Sequence, residues 1–157
     1  MATEAKYLES LGGSVQAREV LFQEAGAAGV YTGSVTVPAG ASLHDILVNG
    51  VALWTAGTSA TMKVGDATDD EGYFRGVDLK ATDLLAGESL SFSFAGGKAG
   101  AYIANSQVSP RYSASERVIS GIITTVGTTA TAGRTRMTVV YSLPASVNQT
   151  SATYVAS

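Results

Sequence analysis

Short runs of β-branched and aromatic residues, stopped again and again by glycine, leave this chain little room for helices. Glycine ends or weakens a helix, while Val, Thr, Tyr and Phe suit the pleated surface of a strand. The chain has 18 glycines but only 3 prolines in 157 residues, so the breaks are flexible ones. The cleanest run is LSFSFAGG. Its alternation predicts a half-buried strand with Leu90, Phe92 and Phe94 on one side and Ser91 and Ser93 on the other. Gly96–Gly97 then turns it into a further strand, AGAYIAN. Near the end, RVISGIITTVG and RTRMTVVYSL read as two long strands joined by GTTATAG into an antiparallel hairpin. Thr135, Met137, Val139 and Tyr141 share one face of the second strand, and Arg134, Arg136 and Thr138 the other.

Earlier segments follow the same pattern. AREVLFQ, residues 17–23, predicts a strand. YTGSVTV leads into VPAGA, where Pro38–Gly40 reads as a tight turn. Asn49–Gly50 lies between ILV and VALW and is a strong hairpin signal. ATMKV enters an acidic stretch and YFRGVDL leaves it. About eight short strands with turn signals between them predict an all-β fold: a single antiparallel β-sandwich, expected to be a jelly roll. The one helical segment is ATEAKYLESLGG, stopped by Gly12–Gly13, with Tyr7, Leu8 and Leu11 on one face. The expected organisation is an N-terminal arm or short helix at 1–14, the sandwich at 15–144 and a C-terminal arm at 145–157.

Charge narrows the function classes. Charged residues are 15% of the chain, against about a quarter in ordinary globular domains. So little charge predicts that part of the surface faces protein. The net charge is −3 with no basic patch, which argues against nucleic acid as a partner. There is no cysteine, hence no disulfide framework and no thiolate chemistry. No apolar run approaches the ~18 residues that would span a membrane. The start, MATEAKYLES, lacks the basic and apolar regions of a signal peptide. Synthesis in the cytoplasm is therefore expected, and the glycosylation pattern NQT at 148–150 is taken as chance.

The most chemical-looking stretch is MKVGDATDDEGYFRG, with Asp66, Asp69, Asp70 and Glu71. Calcium takes six to eight oxygens, often from alternating acids in a tight loop. Asp66, Thr68 and Asp70 fit the first ligand positions of an EF-hand. Glu71 stands where the invariant glycine is needed, however, and Val77 where the final glutamate is needed. The expectation is an acidic strand-to-strand loop with no metal, an irregular calcium loop remaining the alternative. A glycosidase pair within one such loop is disfavoured. His44 beside Asp45 is the only histidine. Without a G-x-S-x-G elbow it reads as a strand-edge residue rather than part of a triad. GGKAG at 96–100 lacks the spacing of a phosphate loop and reads as a turn with a solvated Lys98. Trp54, Tyr73 and Phe74 are candidates for a sugar-stacking platform, but Trp54 at the end of VALW fits a core or subunit contact better. No cofactor and no catalytic residue are expected.

The ordered series VTVPAGASLHDILVNG, ATMKVGDATDDEGYFRGVDL, LAGESLSFSF and VISGIITTVGTTATAGRTRMTVVYSL resembles the head decoration, or capsid cement, proteins of tailed bacteriophages. The resemblance spans roughly residues 35–143 and leaves out both arms. It implies a small β-sandwich on the outside of a capsid that clamps major capsid protein subunits together without catalysis. It also implies a homo-oligomer, with a trimer suited to the threefold positions of a shell. In that reading Tyr7, Leu8 and Leu11 at one end, and Tyr154 and Val155 at the other, are the expected capsid or subunit anchors. A phage fibre or tail-associated carbohydrate-binding sandwich is the alternative, and a hydrolase with an unrecognised site the third reading.

Overall fold

The structure is a computed structural model that describes residues 15–80, 82–103, 111–128 and 131–143. It contains strands β1 (Val15–Gln23), β2 (Val30–Val37), β3 (Ser42–Ala52), β4 (Ser59–Gly65), β5 (Phe74–Asp78), β6 (Ser89–Ser91), β7 (Arg117–Val126) and β8 (Arg134–Ser142). They form two four-stranded sheets, one in the order β1-β8-β3-β6 and the other β2-β7-β4-β5. Every pairing is antiparallel. The fold is an all-β sandwich. The first strand pairs with the last, the second with the seventh, the third with the sixth and the fourth with the fifth. One side of the sandwich is thus edged by β1 and β2, the other by β6 and β5.

The inward rows fill the space between the sheets. Thr135, Met137, Val139 and Tyr141 of β8 are all buried, as their two-residue period predicts. Ile119 and Ile123 of β7 and Met62 and Val64 of β4 face them from the other sheet. Gly33 and Gly121 are direct cross-strand partners on β2 and β7. Together they leave a dent in the inner face of that sheet, and the ring of Phe22 from β1 fills it. A Cβ on Gly33 would stand 2.5 Å from Val20 and 3.1 Å from Phe22, and one on Gly121 2.8 Å from Phe22.

One end of the sandwich is closed by polar contacts around Trp54. The indole N–H donates to Thr135 Oγ1 at 2.8 Å, and Tyr31 packs edge-on against the ring at 5.2 Å. Beside it the buried Glu24 carboxylate accepts from the Thr55 amide at 3.1 Å and the Gly133 amide at 3.0 Å. One acid thereby fastens the end of β1 to the β3–β4 and β7–β8 connections.

Several local expectations are corrected. β7 and β8 do not form a hairpin; they lie in different sheets. Two strands with a buried alternate row satisfy that pattern equally by lying side by side or by facing each other across a core. Asn49–Gly50 does not turn the chain, because β3 runs through it, its pairing with β8 shifting register between Leu43 and Asp45 and between Gly50 and Ala52. Gly50 is needed for close approach instead: a Cβ there would stand 2.3 Å from the Leu85 carbonyl oxygen. Its amide donates to Glu88 O at 2.9 Å. LSFSF stays a strand only to Ser91, whose hydroxyl accepts from the Ser93 amide and caps a 3-10 turn at Phe92–Phe94. Phe92 turns inward, while Phe94 is 86% exposed. A second 3-10 turn, Gly96–Lys98, follows, and residues 99–103 form a bridge and a turn rather than a strand. The Pro38–Gly40 turn is present, closed by the Ala41 amide on Pro38 O.

Because the dent admits no added atom, Gly121→Ala is expected to cost about 1–3 kcal/mol through overpacking. Phe22→Ala should cost about 3–5 kcal/mol. Leu21→Ala, one residue away and facing solvent, should stay within about 0.5 kcal/mol. Urea unfolding checks all three, and a neutral Gly121→Ala would show the dent to be slack.

Candidate assembly surface

The acidic stretch connects β4 and β5 as a strand-to-strand loop, and the carboxylates of Asp66 and Asp69 point back into their own turn. Asp66 Oδ1 accepts from the Thr68 amide at 2.9 Å, the Asp69 amide at 3.1 Å and the Tyr102 hydroxyl at 2.8 Å. Asp69 accepts from the Glu71 amide at 2.9 Å. Asp70 pairs with Lys63 at 2.6 Å, which raises the lysine pKa above its usual value. Short acidic side chains bond their own backbone in this way wherever a turn exposes N–H groups. Gly72 lets Tyr102 lie against the loop, since a Cβ there would stand 2.2 Å from its ring. Burial, reinforced by the Asp66 carboxylate, pushes the Tyr102 hydroxyl far above its ordinary value. It therefore stays a hydrogen-bond donor at every physiological pH. Tyr102 stacks edge-on to Tyr73 at 5.2 Å, and Tyr73 to Phe92 at 5.8 Å. A chain of aromatic contacts thus ties the loop to the core. Among the described residues no group of three or more His, Cys, Asp or Glu is placed to hold a metal ion.

The other sequence candidates disperse. His44 is exposed on β3, while the Asp45 carboxylate accepts from the Ser91 hydroxyl at 2.8 and 2.9 Å. Lys98 is not a free turn lysine: it pairs with Asp83 at 2.9 Å and donates to Gly76 O at 3.0 Å. Trp54, Tyr73 and Phe74 are each no more than 2% exposed, so they offer no face for a sugar to stack on. Tyr7, Leu8, Leu11, Tyr154 and Val155 lie outside the described residues. Val15 and Ser142, near the two ends of the described sandwich, are direct cross-strand partners.

What the fold does present is a nearly uncharged sheet face. The outward positions of β2, β7 and β4 include Thr32, Ser34, Thr36, Val118, Ile122 and Thr124, all exposed or half-buried. Lys63, already neutralised by Asp70, is the one charge on that three-strand face among the described residues. The opposite outer face carries Glu19 paired with Arg136 at 3.5 Å, and Arg134 beyond them. The low overall charge is therefore concentrated on one side. Desolvating hydroxyls and β-branched methyls costs far less than desolvating charges, which suits such a face to contact with protein. Its signal in the sequence was the polar half of VYTGSVTV and VISGIITTV, rich in Ser and Thr instead of charged residues. The exposed aromatics Phe94 and Tyr112 had no such signal.

No protein-family model matches the chain, and no curated protein matches it. Two solved structures contain chains of similar fold. One is the cyanophage Pam1 capsid asymmetric unit, with a TM-score of 0.56 and 21% identity over 91% of this chain and 94% of that chain. The other is the acidic stable capsid structure of Helicobacter pylori bacteriophage KHP30, with a TM-score of 0.55 and 17% identity over 86% of this chain and 92% of that chain. At these identities the likeness is one of fold, and it runs nearly the full length of both chains in each case.

Two outcomes test the loops. Tyr102→Phe is expected to lower stability by about 1.5–3 kcal/mol, the range for a hydrogen bond to a charged group, while millimolar calcium leaves the wild-type melting temperature unchanged. A calcium-dependent rise in melting temperature would restore the cation loop. Burial raises the Asp83 carboxyl, but the Asp78 amide and the Lys98 ammonium outweigh it and hold the pKa below the ordinary carboxylate value. A depressed carboxyl stabilises the fold above its unfolded pKa of about 3.9, and that stabilisation fades as pH falls through the lower folded value. Asp83→Asn should therefore destabilise most above the unfolded pKa of about 3.9 and progressively less as pH falls below it, as read from thermal melts across an acid series.

Proposed function

We propose that this chain is a virion structural protein that binds the outer surface of a phage capsid and clamps major capsid protein subunits together, without catalysis. The observation that carries this reading is the full-length fold likeness to chains of two phage capsid structures. The ordered sequence resemblance to decoration proteins points the same way. The nested strand pairing supports taking the sandwich as a jelly roll, the two-sheet wrap that recurs in viral capsid domains.

The physical basis is interface chemistry. The face of β2, β7 and β4 supplies a surface whose one charge among the described residues, Lys63, is already paired with Asp70. The arms supply reach: a segment of 14 residues extends to about 50 Å, far beyond the sandwich that holds it. Val15 and Ser142, the strand residues nearest the two proposed arms, are direct partners. Tyr7, Leu8, Leu11, Tyr154 and Val155 are the proposed anchors, and an extended arm can add main-chain hydrogen bonds to a neighbour's sheet edge. A homo-oligomer, with three copies at a threefold position, belongs to the same reading. The carbohydrate-binding alternative loses its platform, because Trp54, Tyr73 and Phe74 are buried.

Deleting residues 1–14 is expected to abolish association with capsids while the circular dichroism and melting of the sandwich stay unchanged. Normal occupancy on particles, counted by gel densitometry after deletion, would refute the arm as the clamp.

A further inference from the structure

β6 ends at Ser91, but its alternation runs on to Phe94. Leu90, Phe92 and Phe94 alternate with Ser91 and Ser93, the two-residue period of a half-buried strand. The ladder with β3 pairs Asn49 with Ser89, Val48 with Leu90 and Leu47 with Ser91. Gly50 donates to Glu88 O and accepts from the Gly87 amide. In an antiparallel ladder of this register Gly50, Val48 and Ile46 therefore all turn their backbone groups toward β6. The next full pair would join Ile46 to Phe92. Instead Phe92–Phe94 winds into a 3-10 turn, and the Ile46 amide donates at 2.8 Å to the carboxylate of its own neighbour, Asp45.

The stretch of β3 beyond the end of β6 is held by other groups. The Arg111 guanidinium donates to the His44 carbonyl at 2.6 Å and to the Ser93 hydroxyl at 3.1 Å. It also lies 4.7 Å above the Phe92 ring centre. The Arg111 carbonyl accepts from the Leu43 amide at 2.7 Å, and Tyr112 forms a bridge with Ser42. The Asp45 carboxylate that takes the Ile46 amide accepts from the Ser91 hydroxyl as well. Ser91 in turn accepts from the Ser93 amide and caps the turn. What this arrangement leaves out is Phe94, a large apolar side chain that is 86% exposed.

We propose that residues 92–94 are a strap with two positions, held off β3 by a catch made of Arg111 and Asp45. In the second position β6 continues to Phe94, the Ile46 amide bonds the Phe92 carbonyl, and the 111–112 segment lets go of Leu43. The alternation then turns Phe94 to the buried side. The register shift between Leu43 and Asp45 brings Leu43 inward in step with Ile46, so Phe94 gains an apolar neighbour there. Phe92 keeps its inward place in both positions. The catch contributes hydrogen bonds from charged groups, and the second position buries a phenyl ring. Local pattern and tertiary packing disagree here, and such a conflict narrows the gap between the two arrangements. Phe94 is thereby a contact that the sheet can offer or withdraw. A protein partner that grips the exposed ring binds only the held position, so binding and catch reinforce each other. The exchange belongs to this sheet and is independent of the capsid reading.

The full-length, isotope-labelled chain is read by solution NMR as wild type, Arg111→Met and Ser91→Ala. Arg111→Met keeps an apolar stem over Phe92 and removes the guanidinium donors. Ser91→Ala removes the cap of the turn and the bond to Asp45 without touching Arg111. Wild type should show turn-like carbon shifts at 92–94. Its relaxation dispersion should be confined to 42–46, 91–94 and 111–112, from a second position populated at about 0.1–10%. Each variant should raise that population about tenfold or more, the factor that one lost hydrogen bond to a charged group is worth. Strand-type shifts at 92–94 and contact between the α-protons of Asp45 and Ser93 identify the second position. The Phe94 ring should also lose its relaxation by a dissolved paramagnetic agent. Adding Phe94→Ser to Arg111→Met should release 92–94 from β3, because nothing apolar then draws the strap in. A wild type without exchange at 91–94 overturns the strap. So do variants that keep the turn, variants whose 92–94 become random coil with Phe94 exposed, and a strand position that survives Phe94→Ser.

Discussion

The ring of Phe22 crosses between the sheets and fills the dent that Gly33 and Gly121 leave. Much of the architecture depends on that contact. Phe22 comes from β1, an edge strand of one sheet, and Gly33 from β2, an edge strand of the other. That contact joins the two edge strands across the core, beside the hold that Glu24 gives the end of β1. Two glycines opposite each other normally weaken a pair of strands, since each forfeits side-chain contacts and raises the entropy cost of ordering. Here the missing side chains are replaced by one large ring from across the core.

The far side of the molecule uses polar groups for the same purpose. Asp66 gathers two amides and the Tyr102 hydroxyl, and Asp83 gathers an amide and Lys98. At the end of the sandwich Glu24 gathers the connections around Trp54. The acids that looked like chemistry are thus used in holding loops to the sandwich. A carboxylate that accepts several N–H and O–H bonds within its own loop is a brace, and a proton-transfer role would need it free to exchange partners. Among the described residues, the surfaces open to other molecules include a nearly uncharged sheet face and the exposed rings of Phe94 and Tyr112. These are features of contact between proteins, as the proposed place of the chain on a capsid requires.

Much of this was legible in advance. The buried row of Thr135, Met137, Val139 and Tyr141 follows from a two-residue period, and Trp54 follows from its place at the end of an apolar run. The acidic stretch fails metal templates on residue identity alone. Other features escaped because the same residues serve different ends. Asn49–Gly50 has the composition of a turn, yet Gly50 is small so that Leu85 can approach it. Phe94 continues a perfect alternation, yet Ser91 caps a 3-10 turn and swings it into solvent. The arms carry the proposed anchors, but they lie outside the residues whose structure is described.

By itself the sequence determined the class of the fold, because alternation and glycine spacing are local and report directly on the backbone. It determined the scarcity of charge, and hence the expectation that some surface meets protein. Only the tertiary structure decided which strands are neighbours and which merely face each other, since an inward row is identical in both cases. It also decided where the uncharged positions gather and which aromatic rings, Phe94 and Tyr112, face solvent. Those are relations between residues far apart in the chain, fixed by packing across the core and not by any local preference.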